Sequence, residues 1–161
     1  MKKPGFRFLF AHPAHFIALG FGSGLSPAAP GTAGTLAAWL LFPFIRPYFS
    51  EAGFLLFLAA AFVFGVFVCD RTGRALGAAD HGAIVWDEIV PFWLVLLMTP
   101  EGWLWQLAAF MWFRFFDIVK PEPARWIDTH LKHGFGVMLD DLAAAGYTLL
   151  TLALFKALLN G

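Results

Sequence analysis

Two long apolar runs dominate the chain. Ala52–Cys69 is opened by Glu51 and closed by Asp70 and Arg71, and Leu142–Leu159 follows the acidic pair Asp140-Asp141. Each matches the roughly 17–25 residues of a membrane-spanning helix. A weaker run, Ala33–Phe49, is interrupted by Pro43, Arg46 and Pro47 and predicts a short or kinked span. Ile84–Phe116 is apolar and rich in tryptophan, but Thr99-Pro100-Glu101-Gly102 cuts it with a turn signal, which predicts a helical hairpin. Neither a period-two alternation nor a strand–helix–strand pattern occurs, so a β-barrel and an α/β sheet are both excluded. The pattern predicts an all-α integral membrane bundle of about four to five membrane helices, hairpin included, with polar loops on the cytoplasmic side. The whole chain, residues 1–161, reads as one domain.

Composition agrees. Apolar residues make up 60% of the chain and charged residues 14%, with a mean hydropathy of +0.71, far from a soluble domain. Basic and acidic residues balance to zero formal charge, which removes the positive field that nucleic-acid binding needs. The one cysteine, Cys69, excludes a disulfide framework and a thiolate zinc site, and is expected to pack as a small apolar residue. Met1–Arg7 is basic, yet Phe8–Gly20 carries His12, Pro13 and His15 and no small-residue cleavage site, so it is not expected to be a signal peptide. Lys2, Lys3, Arg7, Arg71, Arg74, Arg114, Lys120, Arg125 and Lys132 place their segments on the cytoplasmic side. Arg46–Glu51 and Thr99–Gly102 then lie on the far side, with Lys156 snorkelling near the outer end of the last helix. Trp86, Trp93, Trp103, Trp105, Trp112 and Trp126 suit an interfacial belt or, equally, core packing.

On this topology the polar residues gather at one face. Asp70 ends one span and Asp140-Asp141 begins another from the same side. Asp87-Glu88 and Asp117 lie at similar distances from the hairpin turn, and at about 1.5 Å per residue their depths match. Thr32 and Thr35 open the first span at that level. A helix reaching back to Asp80 would align Asp80, Asp87 and Glu88 on one face. Asp80 alone reads first as a solvated residue, and Asp140-Asp141 equally as a helix cap. Acids embedded in apolar sequence, as Asp87-Glu88 are, point to function. An all-oxygen donor set without an H-E-x-x-H motif favours a hard cation, Mg²⁺ before zinc. Mg²⁺ in turn suggests phosphate, and Arg114, Asp117 and Lys120 at steps of three place an acid between two cations on one helix face. The glycine-rich stretch Gly20–Gly34 leads into a helix start and can turn amides toward an anion. It lacks both nucleotide-binding glycine fingerprints, so no nucleotide is expected.

Four motifs in order, Gly22-Ser23-Gly24-Leu25-Ser26-Pro27 through Gly34-Thr35, Ile84-Val85-Trp86-Asp87-Glu88, Phe113-Arg114 through Asp117 and Lys120-Pro121, and Gly134 through Gly136-Val137-Met138 to Asp140-Asp141, resemble the phosphatidylglycerophosphatase A family over residues 20 to 146. The resemblance implies an Mg²⁺-dependent lipid phosphatase of the bacterial inner membrane, acting at the cytoplasmic face on a phospholipid and converting phosphatidylglycerol phosphate to phosphatidylglycerol and inorganic phosphate. It implies metal ligation by Asp70, Asp80, Asp87, Glu88, Asp117, Asp140 and Asp141, and catalysis by Asp87, Asp117, Lys120 and Asp141. Ser23, Ser26, Thr32, Thr35 and Arg114 would bind substrate. The expected chemistry is metal-assisted hydrolysis by an activated water, with a carboxylate nucleophile at Asp117 as the alternative. Two positions depart from the family pattern: Glu122 stands where tryptophan is common, and Pro91 where glycine is. His81, His130 and His133 read as interfacial polar residues, since the histidine-nucleophile motif of other lipid phosphatases is missing. The alternatives are a small cation or proton transporter with an acidic ion site, which would want its acids near the bilayer midplane, and a membrane scaffold, which leaves the acids unexplained.

Overall fold

The structure, a computed structural model, describes residues 3–160; Lys2, one of the orienting cations, lies outside them. The described residues contain helices and turns and no strand. Two short helices, α1 (Phe6–Leu9) and α2 (Pro13–Ala18), lead through a 3₁₀ segment at Gly20–Leu25 into α3 (Pro30–Ile45). A 3₁₀ turn at Arg46–Tyr48 connects to α4 (Glu51–Leu76), and the hairpin follows as α5 (Trp86–Met98) and α6 (Trp103–Val119). A short α7 (Ala124–His130) precedes α8 (Gly134–Asn160).

The hairpin turns where the sequence predicts. The other helices run past their polar markers. α4 continues through Asp70 and Arg71 to Leu76, because these residues are tolerated in a helix and Asp70 pairs with Arg74 one turn on at 2.8 Å. It stops only at Gly77, which takes the left-handed conformation (φ 76°) of a helix C-cap. α8 begins at Gly134, so Asp140 and Asp141 lie well inside it and the capping alternative fails. α3 is continuous through Pro43 and gives way to the 3₁₀ turn three residues later.

α5 is the central helix. Nearly every side chain from Trp86 to Leu96 is buried, packed by α3, α4, α6 and α8. Trp86 and Trp93 belong to this core and not to a belt: their indole N–H groups donate to the Ala61 and Ala38 carbonyls at 3.2 and 2.9 Å. Trp103 and Trp126, by contrast, are exposed near loops. Cys69 is fully buried and free, as expected.

Close approach between helices depends on glycine. A Cβ on Gly134 would overlap the Val66 carbonyl, and one on Gly65 would come within 2.7 Å of the Met138 sulfur, so the α4–α8 crossing needs both. Such contacts matter in an apolar surrounding, where helices associate through packing more than through the hydrophobic effect. By length and composition α4 and α8 can cross a membrane. Large apolar side chains also face outward on α3 (Phe44), α4 (Leu56), α6 (Leu104) and α8 (Leu158).

Candidate active site at one end of the bundle

The site grows from the first turn of α5. Val85 donates its backbone N–H to the Ala18 carbonyl at 2.9 Å, tying the start of α5 to the end of α2. No side chain caps this helix, and Asp87 and Glu88 in its first turn meet the positive end of its dipole. Pro91 has no N–H to offer the Asp87 carbonyl four residues back, yet the helix runs on to Met98. Asp87 is 5% exposed and its Oδ1 has no hydrogen-bond partner. The charges acting most strongly on it, from Glu88, Asp80, Asp140 and Asp117, are all negative.

Glu88 is held instead. Its Oε2 accepts from Arg114 at 2.6 Å and lies 3.0 Å from the Thr35 hydroxyl, while Arg114 also reaches Asp117 at 2.5 Å. The hairpin therefore brings its two polar ends to one depth, as the residue count predicts. The Arg114 Nε is buried without a partner, so the guanidinium keeps donor capacity. Gly31 fits beneath this pair because it has no side chain: a Cβ there would overlap the Glu88 carboxylate and lie 2.9 Å from Arg114 Nη2.

Lys120 closes α6 in the left-handed conformation (φ 46°), a strained choice for a lysine. Its Nζ reaches Asp140 at 2.5 Å, Asp128 at 3.3 Å and Asp80 at 4.0 Å. Burial works against its charge, but Asp140, Asp141 and Asp80 outweigh that and raise its pKa above the usual lysine range. The ammonium thus ties α6 to α7 and α8. On α8, Asp140 and Asp141 are both buried, and the Asp141 carboxyl adjoins that of Asp117.

Several expectations change. Asp80 lies in the turn between α4 and α5, not on the α5 face, and its ion contact with the site is to Lys120 at 4.0 Å. Asp70 stands apart, paired with Arg74 and 3.5 Å from the Gly134 amide. Of the four hydroxyls, Thr35 alone bonds within the cluster. Ser23 donates to the Gly20 carbonyl at 2.8 Å and Ser26 to Ala28 at 2.7 Å, each stapling its own loop, and Thr32 is half-buried in the first turn of α3. That turn is uncapped: Ala29 before it is left-handed (φ 48°), and among the described residues the Gly31 and Thr32 amides find no acceptor. Glu122 accepts the Trp126 amide at 3.1 Å, so the departure from tryptophan supplies a bond at the start of α7. Asp128 enters the site unannounced, because no helical spacing links it to Lys120 across the turn at Pro121.

The carboxyls of Asp80, Asp87, Glu88, Asp117, Asp128, Asp140 and Asp141 outnumber Arg114, Lys120 and the more distant Lys132. Buried like charge on this scale needs protons or a cation. The donors are all oxygen, and the orphaned Asp87 Oδ1 is an open ligand position, so the chemistry fits a hard divalent ion. Among the described residues no three of these groups yet stand at ligand spacing around one point; the acids form a crowd, not a closed cage.

The profile of the family described as Phosphatidylglycerophosphatase A matches residues 16–156. A Haemophilus influenzae protein named phosphatidylglycerophosphatase A is 46% identical over 86% of both chains. An Escherichia coli K12 protein of the same name is 40% identical over 86% of this chain and 80% of its own. A Bacteroides thetaiotaomicron protein with the provisional description of a phosphatidylinositol-3-phosphatase is 38% identical over 97% of this chain and 98% of its own. No solved structure matches. With the family profile covering most of its length and two such relatives, the chain belongs to the phosphatidylglycerophosphatase A family.

Proposed function

We propose that the protein removes the terminal phosphate of phosphatidylglycerol phosphate, releasing phosphatidylglycerol and inorganic phosphate in bacterial phospholipid biosynthesis. The observation that carries this reading is the buried acidic cluster, with Arg114 and Lys120 set into it, in a chain of this family. The outward apolar side chains of α3, α4, α6 and α8 around a largely buried α5 support a multi-pass bundle of four to five membrane helices in the inner membrane. The cations flanking the site support a cytoplasmic active face.

Asp87, Glu88, Asp117, Asp140 and Asp141 are the residues that would hold Mg²⁺, and bound there it would neutralise charge developing on the phosphate oxygens. Arg114 orients the phosphate through the donor capacity left on its guanidinium, and the uncapped start of α3 adds two free amides. In the reaction a water attacks phosphorus in line, the bond from phosphorus to the glycerol oxygen breaks, and the leaving alkoxide takes up a proton. The Asp87 carboxylate accepts the proton from the attacking water, and the alkoxide takes its proton from solvent as the product leaves. Lys120 holds α6 against α8 so that Asp117 and Asp141 face each other.

Purified protein in detergent should release phosphate from phosphatidylglycerol phosphate with Mg²⁺ and lose that activity with chelator, and Asp87→Asn should abolish turnover while folding normally. Absence of release from the wild type would overturn the reading; release that persists in chelator would remove the metal from it. The Bacteroides relative's description favours a second substrate, phosphatidylinositol 3-phosphate, and a parallel assay with that lipid decides between them.

A further inference from the structure

Among the described residues, Asp87 and Asp141 have no basic side chain within salt-bridge reach. The other acids proposed to hold Mg²⁺ are occupied. Glu88 and Asp117 share Arg114, and Asp140 is held by Lys120. Both oxygens of Asp140 are in use: Oδ1 accepts the Asp141 amide at 3.0 Å and Oδ2 accepts the Lys120 ammonium at 2.5 Å. An ammonium and a metal ion on one buried carboxylate repel each other, so Lys120 has to give up Oδ2 before Asp140 can serve as a ligand. The two basic residues differ in where they can go. Both partners of Arg114 belong to the ligand set, whereas Lys120 has a partner outside it, Asp128 on α7, 3.3 Å from Nζ.

Asp128 is placed for the transfer. The Asp140 side chain is 4% exposed and that of Asp128 is 26% exposed, so the ammonium would move outward, toward water. Nζ already lies within salt-bridge distance of both carboxylates, and the flexible lysine stem can make the change without moving a helix. Lys132 also reaches Asp128, at 3.8 Å, but it is 58% exposed and holds the acid only weakly. The Tyr147 hydroxyl on α8 donates to the Glu122 carbonyl at 2.6 Å, which fixes the turn leading into α7 and so the level of Asp128. With Lys120 on Asp128, α6 stays tied to α8 through α7, which packs on α8.

We propose that Asp128 is a positioning residue for the cation site: when a divalent ion takes Asp140, the Lys120 ammonium passes from the Asp140 carboxylate to that of Asp128. The inference rests on the Mg²⁺ part of the phosphatase reading and on no other part of it.

The test is a calorimetric titration of Mg²⁺ into the detergent-solubilised full chain, with Lys120→Met, Asp128→Asn and the double variant forming a cycle. Lys120→Met should bind Mg²⁺ about tenfold more tightly than wild type, because the competing ammonium is gone. Unchanged or weaker binding would mark a lysine that only braces the helices and would overturn the proposal. Asp128→Asn should weaken Mg²⁺ binding about tenfold while Lys120 is present, and by less than about twofold in the Lys120→Met background. Equal weakening in both backgrounds would mark a general field effect and overturn the transfer. Asp128→Glu keeps the acceptor and should stay within about threefold of wild type; a loss as large as that of Asp128→Asn would also overturn it. Should Lys120→Met fail to fold, Lys120→Gln, which keeps an N–H donor for Asp140 without the charge, takes its place in the cycle. A wild type that takes up no Mg²⁺ overturns the transfer together with the metal in the proposed reaction, whereas uptake without coupling between the two residues overturns the transfer alone. A protein that shows the coupling but hydrolyses no lipid phosphate would refute the phosphatase reading and leave the transfer standing.

Discussion

Removing the guanidinium at the centre of the site is the most direct test of its electrostatics. Arg114 bridges Glu88 and Asp117, and all three side chains are between 11% and 13% exposed. Among the described residues neither acid has another cation within salt-bridge reach. In Arg114→Met two buried carboxylates lose their counter-charge at once, and breaking a buried pair from one side costs about 3–5 kcal/mol. Protonation caps the penalty, since neutralising a carboxyl of ordinary pKa at pH 7 costs about 4 kcal/mol. For a chain of this length each kcal/mol moves the midpoint roughly 2–4 °C, so the variant should melt about 6–20 °C below wild type in detergent. Glu88→Gln in the same background removes one of the stranded charges, and the pair should show a coupling of about 2 kcal/mol when compared with the two single variants. Thermal unfolding followed by tryptophan fluorescence at pH 7 reads all four proteins. Strictly additive losses in the double variant would refute the ion pair, and with it the placement of the hairpin arms.

Three further outcomes follow from the same geometry. Gly31→Ala should lower phosphate release by an order of magnitude or more, because the new Cβ overlaps the Glu88 carboxylate, which is pinned between Thr35 and Arg114; full activity would show that the α3–α5 approach is looser than described. Thr35→Val should reduce kcat by about tenfold through loss of the bond to Glu88, whereas Ser26→Ala, which breaks a bond confined to its own loop, should leave kcat within about twofold; equal effects would contradict the separation of the two hydroxyls. His15, buried against Thr72 with His12 and Arg71 nearby, has its pKa lowered by desolvation first and by those two charges second. The folded protein therefore keeps the ring neutral while the unfolded chain takes a proton near pH 6.5, so its share of stability is intact above that pH and falls as pH drops below it. Melting temperatures from pH 7.5 to 5.5 should decline more steeply for wild type than for His15→Gln, and identical slopes would remove His15 from the acid response.

Much of this protein is legible along the chain, and the part that is not has a common cause. Apolar runs and a Pro-Glu-Gly turn set how deep each residue lies, which is why Asp87-Glu88 and Arg114-Asp117 could be matched in level by counting from Thr99–Gly102. Depth is one coordinate. Which neighbour a residue meets at that depth depends on how helices rotate and how closely they approach. Thr35 reaches Glu88 while Ser23 and Ser26 turn back on their own loops, and Asp70 turns to Arg74 and α8. Trp86 and Trp93 face inward because α5 is enclosed by other helices, a fact of packing that a list of tryptophans does not contain. Helix ends were similarly hidden, since charged residues do not stop a helix and a left-handed glycine does. The order of residues is enough to specify an all-helical, apolar chain with acids, one arginine and one lysine collected at one level. That Arg114 bridges Glu88 and Asp117, that Lys120 draws in Asp128 and Asp140, and that Asp87 keeps an unpartnered oxygen are relations between helix faces, set by glycine contacts and packing in the folded bundle rather than by spacing along one chain.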